Sequence, residues 1–316
     1  MSKINQKFFT LNNGNKIPAV GIIGTGSTWF KTVENDSTFS NELVEQLSQA
    51  LKLPGIVHID AAEIYKTYPE VGKAIKESTK PRNEIWITDK YSTALKISDT
   101  PVDGLNTALE KLNVEYVDLL LLHSPWIDQA AYGFGVVKAW KYLEQLYKEG
   151  KAKNIGVSNF GVEDLKLLLS SPEVEIKPQV NQIEYNPFLQ EQTPGIYQYC
   201  QEQHILVEAY HPLGPLVLKN KAKENDEFVE RNKEFYCLIT ELAKKYQKTE
   251  SQILLEWTYE MNVLPVTTSS KFQRIKDAQY LFDPEFALSK EEVAKIRDLG
   301  SQNEPHRTYW KKEYTK

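Results

Sequence analysis

The 316-residue sequence predicts a (β/α)8 barrel of the TIM type, on three observations. Eight short apolar runs recur along the chain, and amphipathic stretches of helical length lie between them. Short buried strands joined by crossover helices form a parallel sheet, and eight such units over about 250 residues close into a barrel. Ahead of the first unit, two short segments flank Asn12-Asn13-Gly14-Asn15, whose composition suits a β-hairpin turn.

The elements follow in order. Residues 7–11 and 16–20 are expected to form the hairpin, which would cap the bottom of the barrel. Candidate strands are 20–25, 56–60, 84–89, 117–122, 152–157, 179–183, 206–209 and 263–267. Helical stretches include 39–53, 105–112, 136–149, 162–169, 194–203 and 249–260, with Asp103 and Glu250 near starts and Gly150 just past an end. Residues 216–232 are charged and break the rhythm, so they read as an insertion. No linker, low-complexity run or repeat divides the chain, so 1–316 is expected as one domain, with the C-terminal tail over the barrel mouth.

Composition narrows the partners. Charged residues make up 26% of the chain and the formal net charge is -5. Neither value favours nucleic acid or an anionic membrane. The first residues show no apolar leader, and no run approaches the ~18 apolar residues of a membrane span. Two cysteines, Cys200 and Cys237, make a disulfide framework unlikely and fit a reducing, cytoplasmic setting. Asn35-Asp36-Ser37 has the form of a glycosylation sequon and is read as chance.

Chemistry concentrates at three strand ends. The run at 56–59 ends in Asp60, and Tyr65 follows; another run ends in Lys90, and a third in His123. In such a barrel these ends share one mouth. An unpaired buried carboxylate is costly, so Asp60 needs a partner, and Lys90 suits it. A free phenol is a poor acid at neutral pH, with a pKa of about 10, and a neighbouring ammonium favours the phenolate. A neutral imidazole can orient a carbonyl oxygen. Asp60, Tyr65, Lys90 and His123 therefore form a set able to protonate a carbonyl. None of them suits attack at carbon, so a hydride from a nicotinamide is the expected supplier. Alone, each reads as an ordinary strand-end or loop residue; it is the set in barrel order that carries the reading.

With those residues in place, the chain resembles the aldo-keto reductases over nearly its full length. The matching segments are Gly24-Thr25-Gly26, Asp60-Ala61-Ala62-Glu63-Ile64-Tyr65, Lys90, Leu122-His123, Gly156-Val157-Ser158-Asn159-Phe160, Val180-Asn181-Gln182-Ile183-Glu184 and Arg274-Ile275. It is most similar to fungal NADPH-dependent reductases of 2-carbonyl compounds: α-keto amides, α-keto esters and conjugated polyketones. The local features are His123-Ser124-Pro125 and the run from Leu264 to Lys271.

The resemblance implies NADPH/NADP+ as cofactor and Tyr65 as general acid, with Lys90 and Asp60 tuning it and His123 orienting the substrate. Ser158, Asn159 and Gln182 would hold the nicotinamide carboxamide, and Tyr210 would stack on the ring. Pro212, Leu213, Gly214 and Leu216 would follow the pyrophosphate. Ser269, Ser270, Lys271 and Arg274 would hold the adenosine end with its 2′-phosphate. Gly24, Thr25 and Gly26 would give a close backbone approach to cofactor or substrate. Their spacing is not that of a Rossmann phosphate loop, so a dinucleotide is expected without that fold. Trp29, Phe30, Trp126, Tyr309 and Trp310, with Tyr65 and His123, would line the pocket for a small carbonyl substrate. Three departures stand out: Ser124 where many members have Trp, His211 where Ser is usual, and Thr267-Thr268-Ser269 in place of Pro-Lys-Ser.

No metal, nucleic-acid or membrane partner is expected, and the chain is read as a monomer or weak dimer. Two other classes fit part of the pattern: a barrel that binds NADPH as a regulatory subunit without turnover, and a metal-dependent hydrolase using His58, Asp60 and His123. Against the hydrolase, no strand ends in His-x-His.

Overall fold

A computed structural model describes residues 6–21, 23–32, 38–223, 226–279 and 285–314. The hairpin is β1 (Phe8–Thr10) and β2 (Lys16–Pro18), antiparallel with Phe9 opposite Ile17. Gly14 turns it at φ +86°, a conformation that disfavours side chains. Phe9, Leu11, Ile17 and Ala19 pack in one buried cluster with Trp86, Leu119, Val180, Leu206 and Leu264, which lie at or near strand starts. The hairpin therefore plugs the bottom of the barrel, as expected.

The eight barrel strands are β3 (Ile23–Gly24), β4 (Val57–Asp60), β5 (Ile85–Tyr91), β6 (Leu119–Leu122), β7 (Ile155–Ser158), β8 (Val180–Glu184), β9 (Leu206–Tyr210) and β10 (Val263–Val266). Each pairs in parallel with the next, from β3 to β10. Closure runs between the ends of the sheet, where Gly21 bridges Val266 and the Gly24 amide donates to Thr267 O at 3.1 Å. Every expected strand is present within a few residues of its expected ends. Ile22, inside the first, lies outside the described residues, as does the sequon at Asn35.

The helices in chain order are α1 (Asn41–Ala50), α2 (Tyr68–Glu77), α3 (Pro101–Leu112), α4 (Gln129–Tyr132), α5 (Val136–Lys148), α6 (Val162–Ser170), α7 (Ile196–Glu202), α8 (Gly214–Lys221), α9 (Glu227–Arg231), α10 (Lys233–Tyr246), α11 (Glu250–Glu260), α12 (Phe272–Ala278), α13 (Lys290–Gly300) and α14 (Lys311–Tyr314). Local chemistry sets many starts. Ser40 and Thr100 accept N-terminal amides of α1 and α3, and Thr249-Gln252 and Ser289-Glu292 form capping boxes. The charged segment at 216–232 carries most of α8 and all of α9, with residues 224 and 225 outside the described set. Among the described residues no helix is long and apolar enough to cross a membrane.

Strand pleating decides what faces inward, because side chains alternate between faces. In β6, Leu119 and Leu121 belong to the inner cluster, whereas Leu120 and Leu122 pack outward under the helices. The same alternation points His58 and Asp60, Thr88 and Lys90, Val180 and Gln182, and Leu206 and Glu208 into the barrel. Its lower half is apolar and its upper half is polar.

Candidate active site

Lys90 sits fully buried at an inward position near the end of β5. Its ammonium donates to Asp60 Oδ1 at 2.5 Å, to Ala61 O at 2.9 Å and to Tyr65 Oη at 3.3 Å. All three donors of the ammonium are thus used. Tyr65 is delivered by a single 3-10 turn, Glu63–Tyr65, directly after β4. Its ring stands edge-on to His123, with centroids 5.7 Å apart. The four residues expected to act together are together.

The electrostatics follow from burial and one cation. Burial pulls Lys90 down, but Asp60 and Tyr65 outweigh it, and the ammonium is held above its ordinary value. Burial raises the Tyr65 phenol, with Lys90 opposing, so the group rests protonated beside a cation. Burial, and then the charge on Lys90, push His123 well below its ordinary value. The imidazole is therefore neutral. His58 shares a 2.8 Å hydrogen bond with Thr88 and is pushed down to about 3 by burial and Lys90. Among the described residues no group of three or more His, Cys, Asp or Glu is arranged to hold a metal.

The residues expected at the nicotinamide meet at the ends of β7, β8 and β9. Asn159, at φ +61°, donates from Nδ2 to His123 O at 2.9 Å and to Ser158 Oγ at 3.1 Å. Tyr210 Oη donates to Asn159 Oδ1 at 2.8 Å, and Ser158 Oγ donates to Gln182 O at 2.8 Å. The Gln182 amide nitrogen donates to two carboxyls, Asp60 Oδ2 at 2.8 Å and Glu208 Oε2 at 3.0 Å. Only its carbonyl oxygen is left to accept. An aromatic face beside polar amides suits a flat ring bearing a carboxamide, so these residues fit a nicotinamide.

Farther out, Pro212 and Leu213 lead into the N-terminus of α8 at Gly214, and Leu216 lies in its first turn. A helix start suits a phosphate. Lys271 caps α12 and Arg274 lies in its first turn; both are exposed. The Lys271 amide donates to Ser269 Oγ at 3.0 Å, and Gln46 holds Ser270 O. Two cations on one face fit a phosphate as well.

The segment Gly24-Thr25-Gly26 runs beside the tetrad. A Cβ on Gly26 would lie 2.7–3.0 Å from three atoms of the Tyr65 ring, so this glycine makes room for the phenol. Thr25 is fully buried and its hydroxyl donates to Asp60 O at 3.1 Å. Gly26 thus abuts the Tyr65 ring, and Thr25 ties strand one to the Asp60 backbone.

Aromatic rings cluster around Tyr65 and His123. Phe30 lies 6.4 Å from Tyr65, and Trp310 lies 6.4 Å from His123 and 4.9 Å from Trp126. Tyr309 packs edge-on to Tyr210 at 5.7 Å. Trp29 differs: it ends the 3-10 turn at Ser27–Trp29 and is buried in the core cluster, whereas Phe30 is exposed.

Residues to which the sequence reading gave no role hold the tail. Glu184, fully buried at the end of β8, accepts the amides of Thr308 at 2.9 Å and Tyr309 at 3.0 Å. Tyr314 Oη donates to Asn159 O at 2.6 Å and accepts from Gln192 Nε2 at 2.7 Å. Arg307 donates to Gln192 O and lies over the Tyr314 ring. The signals were available: an acid at an inward strand position, and a tyrosine close to the C-terminus.

Comparison with known proteins agrees with this geometry. The model of the aldo/keto reductase family matches residues 21–301. An NADPH-dependent alpha-keto amide reductase of Saccharomyces cerevisiae is 60% identical over 312 residues, 99% of this chain and 96% of that protein. A glyoxal reductase of Bacillus subtilis is 36% identical, covering 92% of this chain and 91% of the relative. Among solved structures, an aldo-keto reductase of Bombyx mori in complex with NADP superposes with a TM-score of 0.77 at 28% identity, over 99% of this chain and 97% of that one.

Proposed function

The chain belongs to the aldo/keto reductase family and reduces carbonyl compounds with NADPH, and from that premise we propose its substrates and the roles of its residues. Tyr65 is the general acid that protonates the carbonyl oxygen. Lys90, held by Asp60, stabilises the phenolate left behind. Neutral His123 donates a hydrogen bond that orients the same oxygen. The cofactor, when bound, supplies the hydride. Ser158, Asn159 and Gln182 hold its carboxamide, Tyr210 its ring face, and Arg274 with Lys271 its 2′-phosphate.

One observation carries the reading: a single buried ammonium reaches both the Asp60 carboxylate and the Tyr65 phenol, beside an imidazole kept neutral by burial. That arrangement makes a phenol act as an acid near neutral pH. The substrates we propose are ketones and aldehydes activated by an adjacent carbonyl: α-keto amides, α-keto esters and diketones. The yeast relative's name supports this class. So does chemistry, since an adjacent carbonyl withdraws charge and makes the reacting carbon a better hydride acceptor. The aromatic wall of Phe30, Trp126, Tyr309 and Trp310 suits such flat, polarised groups. We further propose a cytoplasmic monomer or weak dimer folded as one domain, in keeping with two free cysteines.

A carbonyl panel assayed with NADPH and NADH, on wild type and Tyr65→Phe, tests this reading. Activated dicarbonyls should rank above simple ketones. Tyr65→Phe should lose about 10²–10⁴-fold in turnover while still binding NADPH. Retention of more than a tenth of wild-type turnover, with chemistry limiting, would remove Tyr65 as the acid.

A further inference from the structure

Beneath the tetrad lies a carboxyl group that the reaction as described does not use. Glu208 occupies the middle of β9, between Val207 and Ala209, and is fully buried. Its Oε2 accepts from the Gln182 amide at 3.0 Å, and the same nitrogen donates to Asp60 Oδ2 at 2.8 Å. Its Oε1 has no hydrogen-bond partner among the described residues. The charges that face it are Asp60 on β4 and Lys90 on β5; His58 on β4 is neutral. From the neighbouring β10, the inward Leu264 and Val266 contribute no charge.

We propose that Glu208 is a positioning residue for the cofactor: it shares the Gln182 amide with Asp60, fixes that amide in one orientation, and keeps the charge beneath the nicotinamide at zero by holding its own proton. The proposal rests on the assignment of Gln182 to the carboxamide. The physical case is a count. Lys90 balances one carboxylate, and Asp60 already pairs with it at 2.5 Å. A second buried carboxylate would be uncompensated, with one oxygen unsolvated, and such a charge is avoided by protonation. Burial, then Asp60, accordingly push Glu208 up to about 8. The reverse orientation of Gln182 would set its carbonyl oxygen against the Asp60 carboxyl oxygen, acceptor against acceptor. As found, both N–H groups are engaged, and the carbonyl oxygen is presented as an acceptor.

This has a consequence for the two cofactor forms. The oxidised nicotinamide is a cation and the reduced one is neutral. Loss of the Glu208 proton above about pH 8 leaves a net negative charge under the ring, which favours NADP+ over NADPH. The 2′-phosphate titrates in both forms and cancels in their ratio. One linked proton changes that ratio by at most tenfold per pH unit, so a change of about three- to tenfold between pH 7 and 9.5 is expected.

The test is equilibrium binding of NADP+ and NADPH across that range by protein fluorescence, on wild type and the near-isosteric Glu208→Gln. In wild type the ratio of Kd(NADP+) to Kd(NADPH) should fall as pH rises; in Glu208→Gln it should stay flat. Matching curves for the two proteins would overturn the proposal. Infrared difference spectra provide a second measurement that needs no cofactor. A protonated-carboxyl band present at pH 7, lost above pH 8 and missing from Glu208→Gln supports it, and absence of that band from wild type sinks it. Neither readout uses turnover, so failure of Tyr65 as the acid would be seen separately.

Discussion

Replacing Lys90 with methionine should separate what the buried ion pair does for stability from what it does for chemistry. The change leaves three groups without their donor: Asp60 Oδ1, Ala61 O and Tyr65 Oη. Asp60 is only 4% exposed, so its stranded charge cannot be solvated by water. Breaking a buried pair from one side costs roughly 3–5 kcal/mol. Unfolding entropy near 2.1 cal/mol/K per residue gives about 0.66 kcal/mol/K for 316 residues, so Tm should fall by roughly 5–8 °C. Adding Asp60→Asn removes the stranded charge, and the double variant should recover at least half of that loss. Turnover should not follow. Both variants lack the cation that stabilises the phenolate, and each should lose about 10²–10⁴-fold. Calorimetry and single-turnover NADPH oxidation measure the two quantities. Recovery of turnover together with Tm in the double variant would show that the pair serves packing alone, and an unchanged Tm in Lys90→Met would refute the ion-pair argument.

Four other outcomes are expected. Arg274→Ala should weaken NADPH by roughly tenfold or more, from about 1.5–3 kcal/mol for a charged hydrogen bond, and leave NADH nearly unchanged; equal loss for both removes the 2′-phosphate role. Gly26→Ala should displace the Tyr65 ring, since its Cβ would lie within 3.0 Å of it, and should lower turnover at least tenfold with a modest Tm loss; wild-type kinetics would show that the ring has room. Glu184→Gln should loosen the tail by withdrawing one of two amide acceptors, raising KM for bulky dicarbonyls several-fold with Glu184→Asp intermediate; a KM unchanged across substrates of different size would release the tail from the pocket. For Glu208, the folded group holds its proton up to about 8, whereas the unfolded one loses it near 4.5. The native state then binds more protons than the unfolded one across that window, so this group's stabilising contribution is present below pH 4.5 and lost as pH rises to about 8. Urea midpoints of wild type should therefore decline relative to Glu208→Gln between pH 5 and 9, and a difference of opposite sign would contradict the burial argument.

Three parts of the site legible in the sequence share one property: each is a polar residue ending an apolar run. Asp60, Lys90 and His123 stood out because a buried strand has no other use for a charge at its end. The hairpin was legible from its turn composition. Glu208 carries a weaker signal, an acid between Val207 and Ala209, because it lies within the strand rather than at its end. The Asp60 carboxylate that shares the Gln182 amide with it comes from a distant strand. The tail network was hidden for a different reason. Glu184 meets Thr308 and Tyr309 across more than 120 residues of chain, and such contacts leave no periodicity behind. Trp29 read as a pocket residue because aromatics follow strand one, yet only the 3-10 turn decides which of Trp29 and Phe30 faces out. Short turns at the barrel mouth set side-chain direction, and nothing in a hydrophobic pattern encodes them.

Register explains why the acid needs a whole barrel. Asp60 pairs with Thr88 across β4 and β5, Lys90 with Leu121 across β5 and β6, and Ser158 with Gln182 across β7 and β8. A slip of one residue in any of these would turn the functional side chain outward, under a helix. The apolar lower layer resists that slip: Trp86, Leu119, Leu121, Val180 and Leu206 would leave the cluster closed by Phe9 and Ile17 and meet the helix side instead. The hairpin plug and the catalytic layer are thus parts of one constraint. Burial at the bottom fixes the register, and the register sets the ammonium of Lys90 between Asp60 and Tyr65 at the top. Tyr65 itself hangs from a 3-10 turn that register does not control, and it is located by Gly26 against its ring, Lys90 at its hydroxyl and the His123 ring edge-on to its own.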